Sequence, residues 1–160
     1  MTTFKQYISE RKQVGKLYHF TSVAGALGIL ETQQLKASKG VDYVSFTRNH
    51  RFAKDLNKSQ YSFRFTIDGD KLSDKYKIEP YHDSTYYNKH KSKQHEDEME
   101  EAIFLSKNGN KPVSLKGAII DVTIDKSKYD TYNTDQQFLD FINRNIKQYN
   151  IKIGDINSKI

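Results

Sequence analysis

Residues 61–67 alternate more strictly than any other part of the chain: Tyr61, Phe63, Phe65 and Ile67 are separated by Ser62, Arg64 and Thr66. A period of two is the signature of a strand with one apolar face. The pattern recurs in 43–47, where Val44 and Phe46 alternate with polar residues, and in 118–124, where Ile120, Val122 and Ile124 fall on one face. Lys16 to Phe20 reads as another strand. After residue 40 the connections are too short for regular βαβ crossovers, which argues against a doubly wound sheet. The expected class is α+β, with a mixed or antiparallel sheet flanked by helices.

The helical signals are fewer. Residues 4–13 predict a short helix with Phe4, Tyr7 and Ile8 on one side, ended by Gly15. Ser22 or Thr21 caps a helix whose apolar positions are Val23, Leu27 and Leu30. Gly25 and Gly28 lie inside it and cost helix propensity, so close packing of its backbone is expected. A short helix is expected around 52–56. Asp68-Gly69-Asp70 and Asn108-Gly109-Asn110 read as turns, and 71–78 as irregular or helical. Thr134 or Asp135 caps a last helix with Phe138, Leu139, Ile142 and Ile146 as its buried stripe. Leu35 to Ser38 reads as extended, and the tail from Lys152 as frayed.

The length of 160 residues suits one domain, taken as 1–160 with its core at about 16–150. Only 36% of residues are hydrophobic, but 11 Tyr and 9 Phe supply large buried areas. No apolar run approaches a membrane span, and Met1 to Lys5 carries no apolar signal core. No membrane partner is expected. Without cysteine there is neither a disulfide framework nor a thiolate zinc site. A cytoplasmic protein is expected. The formal net charge of +6, with a pI near 9.3, draws the chain toward polyanions.

Three segments place polar groups at strand ends. His19 and Thr21 stand at a strand-to-helix turn, although a lone histidine is most often structural and Thr21 has a role as a cap. Ser45 and Thr47 share one strand face, opposite Val44 and Phe46, and Arg48 and Arg51 follow, suited to holding a phosphate. Glu96, Asp97, Glu98, Glu100 and Glu101 precede the apolar Ala102 to Leu105. They read either as a solvated helix start, where acids complement the dipole, or as carboxylates for an oxocarbenium-like sugar cation. Residues 79–97 show no periodicity and read as a long loop. His82, Asp83, His90, His95 and Glu96 within it fit no compact metal pattern, so no metal is expected.

In this order, the strand-end His19 with Thr21, the capped helix behind it, the Ser45-Phe46-Thr47 strand and the late glutamates resemble the ADP-ribosyltransferase-like superfamily. Leu17 to Ser38, Val44 to Asn49, Ile67 to Leu72 and Asp97 to Glu101 also look like small phage and bacterial proteins of this kind, related to DarT or to the toxins. The resemblance covers roughly residues 16–125. It implies a split sheet and NAD as co-substrate, cleaved and transferred as ADP-ribose to a macromolecule, nucleic acid or protein, in the host cytoplasm if phage-encoded. It implies that His19 bonds the adenosine-side ribose with Thr21 beside it, that Ser45 and Thr47 support the nicotinamide pocket, and that Arg48 or Arg51 binds phosphate. Glu101 would be catalytic with Glu98 assisting, Glu100 being the alternative. Tyr86, Tyr87, Lys89 and Lys91 would contact the target, a basic and aromatic mixture suited to bases and phosphates. Toxins of this fold often have Arg where His19 stands, and the His-bearing branch usually has Tyr where Thr47 or Ser45 stands, Tyr43 lying off that position. A non-catalytic nucleic-acid- or protein-binding module on the same scaffold is the alternative. Transfer of an RNA 2′-phosphate to NAD is a third reading, with only Arg48 and Arg51 to serve it.

Overall fold

A computed structural model describes residues 14–51, 62–80, 100–125, 136–145 and 148–154. The helices expected at 4–13 and 52–56 and residues 81–97 of the loop expected at 79–97 lie outside these residues; Glu79 and Pro80, expected to open that loop, form a short strand instead.

Seven strands form one sheet. In chain order they are β1 (Lys16–Thr21), β3 (Tyr43–Thr47), β4 (Phe63–Asp68), β5 (Glu79–Pro80), β6 (Glu100–Phe104), β8 (Ile119–Asp125) and β9 (Ile151–Gly154). Their order across the sheet is β5-β6-β3-β1-β4-β8-β9, hydrogen-bonded without a break. All pairings are antiparallel except β8 with β9. A separate ribbon pairs β2 (Gln34–Leu35) with β7 (Val113–Ser114). The fold is therefore α+β with a mostly antiparallel mixed sheet.

One face of the sheet forms the core. Leu17, Val44, Phe46, Phe63, Phe65, Ile67, Ile103, Val122 and Ile124 are all buried there. Helix α1 (Val23–Thr32) adds Ala26, Ile29 and Leu30 to the same core. Its start is set by Ser22, whose Oγ accepts from the Gly25 N–H at 3.3 Å and satisfies one of the free donors of the first turn. It ends at Gln33, which takes a left-handed φ of 52° so that its N–H reaches the Ile29 carbonyl at 2.7 Å. The Tyr149 hydroxyl then donates to the Leu30 carbonyl at 3.1 Å, tying the end of α1 to the C-terminal part of the chain.

The opposite face of the central strands is polar and also buried. Arg64 is only 1% exposed. Its guanidinium stacks over the Tyr18 ring, 5.5 Å from the centroid. It also donates to the His50 carbonyl at 3.1 Å and to Thr123 Oγ1 at 3.2 Å. Burial lowers the Arg64 pKa, and the Asp121 charge partly opposes that shift. The alternation in 63–67 therefore separates an apolar buried face from a polar buried face.

Four further expectations are corrected. Asp68-Gly69-Asp70 does not merely turn the chain: Asp68 caps the short helix α2 (Gly69–Ser73), accepting from the Lys71 N–H at 3.1 Å. Ile120 does not share a face with Val122 and Ile124. A bulge lets Thr66 pair with Asp121 and Ile67 with Ile119, which turns Ile120 outward to 40% exposure. The acidic run does not start a helix at 100–101, because Glu100 and Glu101 belong to β6. The tail is ordered past Lys152, since Ile151–Gly154 pairs with Val122 to Asp125. The last helix spans Gln136–Asn145 and buries Ile142, while Ile146 lies outside the described residues.

Candidate functional site

β1, β3 and β6 are neighbours in the sheet, and they carry the three polar segments side by side. Tyr18 pairs with Thr47, and Phe46 pairs with Glu101. Residues opposite one another in an antiparallel pair share a face. His19, Phe46 and Glu101 therefore form one row across three strands on the core face. With strands about 4.8 Å apart, the backbones of His19 and Glu101 are roughly 10 Å apart.

The His19 ring packs edge-on against Phe46, with centroids 6.1 Å apart. Its Nδ1 lies 3.0 Å from the Ser45 carbonyl oxygen. A carbonyl only accepts, so Nδ1 carries the hydrogen. Burial pulls the His19 pKa below the ordinary imidazole value, and the Ser45 bond opposes that only in part. The ring is therefore neutral at pH 7, and its Nε2 is an acceptor.

His19 and Thr21 open on a cavity of about 240 Å³ between β1, α1 and β2. Ala24, Gly25, Gly28, Ile29, Thr32, Gln34, Leu35 and Lys36 complete its wall. The two glycines act differently. A Cβ on Gly25 would stand 2.0 Å from Thr21 Oγ1, so the missing side chain makes room for that hydroxyl. A Cβ on Gly28 would meet no atom within 4 Å. The close packing expected of both glycines holds for Gly25 alone.

Glu101 is 6% exposed. Its Oε1 accepts from Arg48 Nε at 2.7 Å, while Oε2 is buried without a hydrogen-bond partner among the described residues. Arg48 Nη1 also donates to the Val14 carbonyl at 2.7 Å. Val14 is held from its other side, where its N–H and that of Gly15 donate to Asp70 Oδ1 at 2.7 and 3.1 Å.

The remaining expected residues are placed as follows. Ser45 reaches His19 through its carbonyl, and its side chain lies on the face opposite the His19 ring. Thr47 is buried, and its Oγ1 accepts from the Asn49 N–H at 3.0 Å. The Arg51 N–H donates to Asn49 Oδ1 at 2.9 Å, and Arg51 Nε is buried without a partner among the described residues. The cavity wall contains His19 and Thr21 but none of Ser45, Thr47, Arg48, Arg51 or Glu101. Glu98, Tyr86, Tyr87, Lys89 and Lys91 lie outside the described residues, as do His82, His90 and His95. Gln34, Lys36 and Gly28 were not singled out in the sequence as cavity residues, and no local pattern marks them: they converge only because α1 and β2 fold back along β1.

No known protein family matches this chain, and no curated protein does.

Proposed function

We propose that the chain is a mono-ADP-ribosyltransferase that uses NAD and modifies a macromolecule, nucleic acid or protein. The observation that carries this reading is the row His19, Phe46, Glu101, ending in a buried carboxylate with one oxygen unpartnered among the described residues. NAD supplies an activated ribose whose C1′–nitrogen bond breaks with the electron pair leaving on nicotinamide. Glu101 is suited to the cationic sugar that results, because a carboxylate beside C1′ opposes its developing charge. The acceptor then bonds C1′ and loses a proton. His19 offers Nε2 as acceptor to a ribose hydroxyl, with the Thr21 hydroxyl beside it on the cavity wall. Thr21, Gly25 and Gly28 leave the cavity next to His19 open for the adenosine side of NAD.

Two measurements test the reading. Calorimetry should show NAD binding that is weakened by His19→Gln. Incubation with labelled NAD and cell lysate should label a macromolecule, and Glu101→Gln should abolish the label. Absence of both binding and label sinks the proposal. Salt-dependent binding to DNA or RNA without NAD binding would favour the non-catalytic module, which the +6 charge supports.

A further inference from the structure

We infer that Arg48 is a positioning residue for Glu101: it fixes Oε1 and so leaves Oε2, buried and without a hydrogen-bond partner among the described residues, as the oxygen available to meet the ligand. The inference rests on the role given to Glu101 in the preceding subsection. It departs from phosphate binding, the role that the sequence resemblance implies for Arg48.

The guanidinium is already committed at two nitrogens, with Nε on Glu101 at 2.7 Å and Nη1 on the Val14 carbonyl at 2.7 Å. An arginine that meets a carboxylate with its full fork takes both oxygens. Here the bond to Val14 turns the fork, and only Oε1 is held. Val14 is itself anchored at its N–H by Asp70, so the brace does not rest on a loose strand end. A carboxylate with a 7% exposed side chain is costly to bury without a cation beside it. Arg48 supplies that cation from a one-third exposed position. The result is an ion-paired, oriented carboxylate with one oxygen unpartnered among the described residues, the arrangement that an oxocarbenium-stabilising group requires. Phosphate binding would require Arg48 to release one or both of these bonds.

The test compares wild type, Arg48→Gln, Arg48→Lys, Glu101→Gln and the double variant Arg48→Gln/Glu101→Gln. Three quantities are read: nicotinamide release from NAD, the Kd for NAD by calorimetry, and urea unfolding. A positioning role predicts that Arg48→Gln lowers kcat about tenfold or more while the Kd for NAD stays within about twofold. Arg48→Lys, which keeps the charge, should recover part of the rate. Arg48→Gln should add no further loss once Glu101 is Gln, because residues that act as one unit are not additive. In urea, the two substitutions should couple, showing the ion pair whatever the turnover.

A Kd that rises about tenfold with kcat intact would make Arg48 a phosphate ligand and overturn the inference. Multiplying losses, or no coupling in urea, would overturn it as well. Coupling in urea with no NAD turnover by the wild type would instead remove the proposed activity, reducing Arg48 and Glu101 to a structural pair. Should Arg48→Gln fail to fold for want of the Val14 bond, the Arg48→Lys arm still separates kcat from Kd.

Discussion

Phe46 stands directly opposite Glu101 in the β3–β6 register, and its ring meets His19 edge-on at 62°. A buried aromatic thus separates an imidazole from a carboxylate on one face of the sheet. Because strand side chains alternate, both polar groups keep this spacing as long as the register of β1, β3 and β6 holds.

The pH response of stability follows from His19. Its folded pKa lies below the unfolded value of 6.5, chiefly through burial. Between the two values the unfolded chain binds a proton that the folded chain does not, so acid favours unfolding. The His19 contribution is complete above pH 6.5 and is lost as pH falls from there toward the folded value. His50, lowered by burial and by Arg51 and Arg64, acts in the same direction. Urea unfolding between about pH 7.5 and pH 5 should show a smaller loss in His19→Gln than in the wild type. Equal losses would contradict this.

Gly25 and Gly28 should separate sharply. Gly28→Ala adds a methyl that meets nothing, and alanine exceeds glycine in a helix by about 1 kcal/mol. Thermal unfolding should show it to be as stable as the wild type or more so. Gly25→Ala forces Thr21 Oγ1 to move, which removes that propensity gain and disturbs the cavity wall. Equal melting temperatures for the two variants would refute the distinction.

Arg64, 1% exposed, should be costly to remove. Truncation to Ala strips the charge facing Asp121 and the donors to His50 and Thr123. Breaking a buried pair by deleting one partner costs about 3–5 kcal/mol. A urea-derived loss below about 1 kcal/mol, the scale of an exposed pair, would mean that the polar face is solvated.

Gly69→Ala should destabilise although it lies in a helix. Its Cβ would stand 2.5 Å from the Gly15 carbonyl oxygen and 2.7 Å from Val14 Cγ1. The Gly69 N–H already donates to that carbonyl at 2.8 Å, so the backbone has no room to retreat. Overpacking of this kind costs about 1–3 kcal/mol, readable in urea, and a neutral result would refute the contact.

The strands around Phe46, Phe65 and Val122 were legible because burial of one face imposes a period of two. Ser22 was legible as a cap because its hydroxyl serves the first free N–H groups. Ile120 was misplaced because a one-residue bulge is set by pairing with β4, which a single strand does not record. Arg64 occupies a polar position in the alternation, and nothing local says whether that face meets water or protein. The resemblance pointed to Glu101 among the glutamates before the apolar run, but its pairing with Phe46 depends on a strand more than fifty residues earlier. Ser45 was expected to act through its hydroxyl; the structure uses its carbonyl, a group every residue carries.

The central position of β1 has a consequence for how the chain acquires its fold. Among the described residues it precedes every other strand of the sheet, yet its neighbours are β3 and β4, with Leu17 paired to Ile67. Both flanks are therefore built from segments that leave the ribosome later. Contacts so distant in sequence require large loops to close before they contribute, which places folding at the slow end for a domain of this size. Until then Leu17 and its neighbours are an apolar segment without a sheet, the state in which a nascent chain is most open to aggregation.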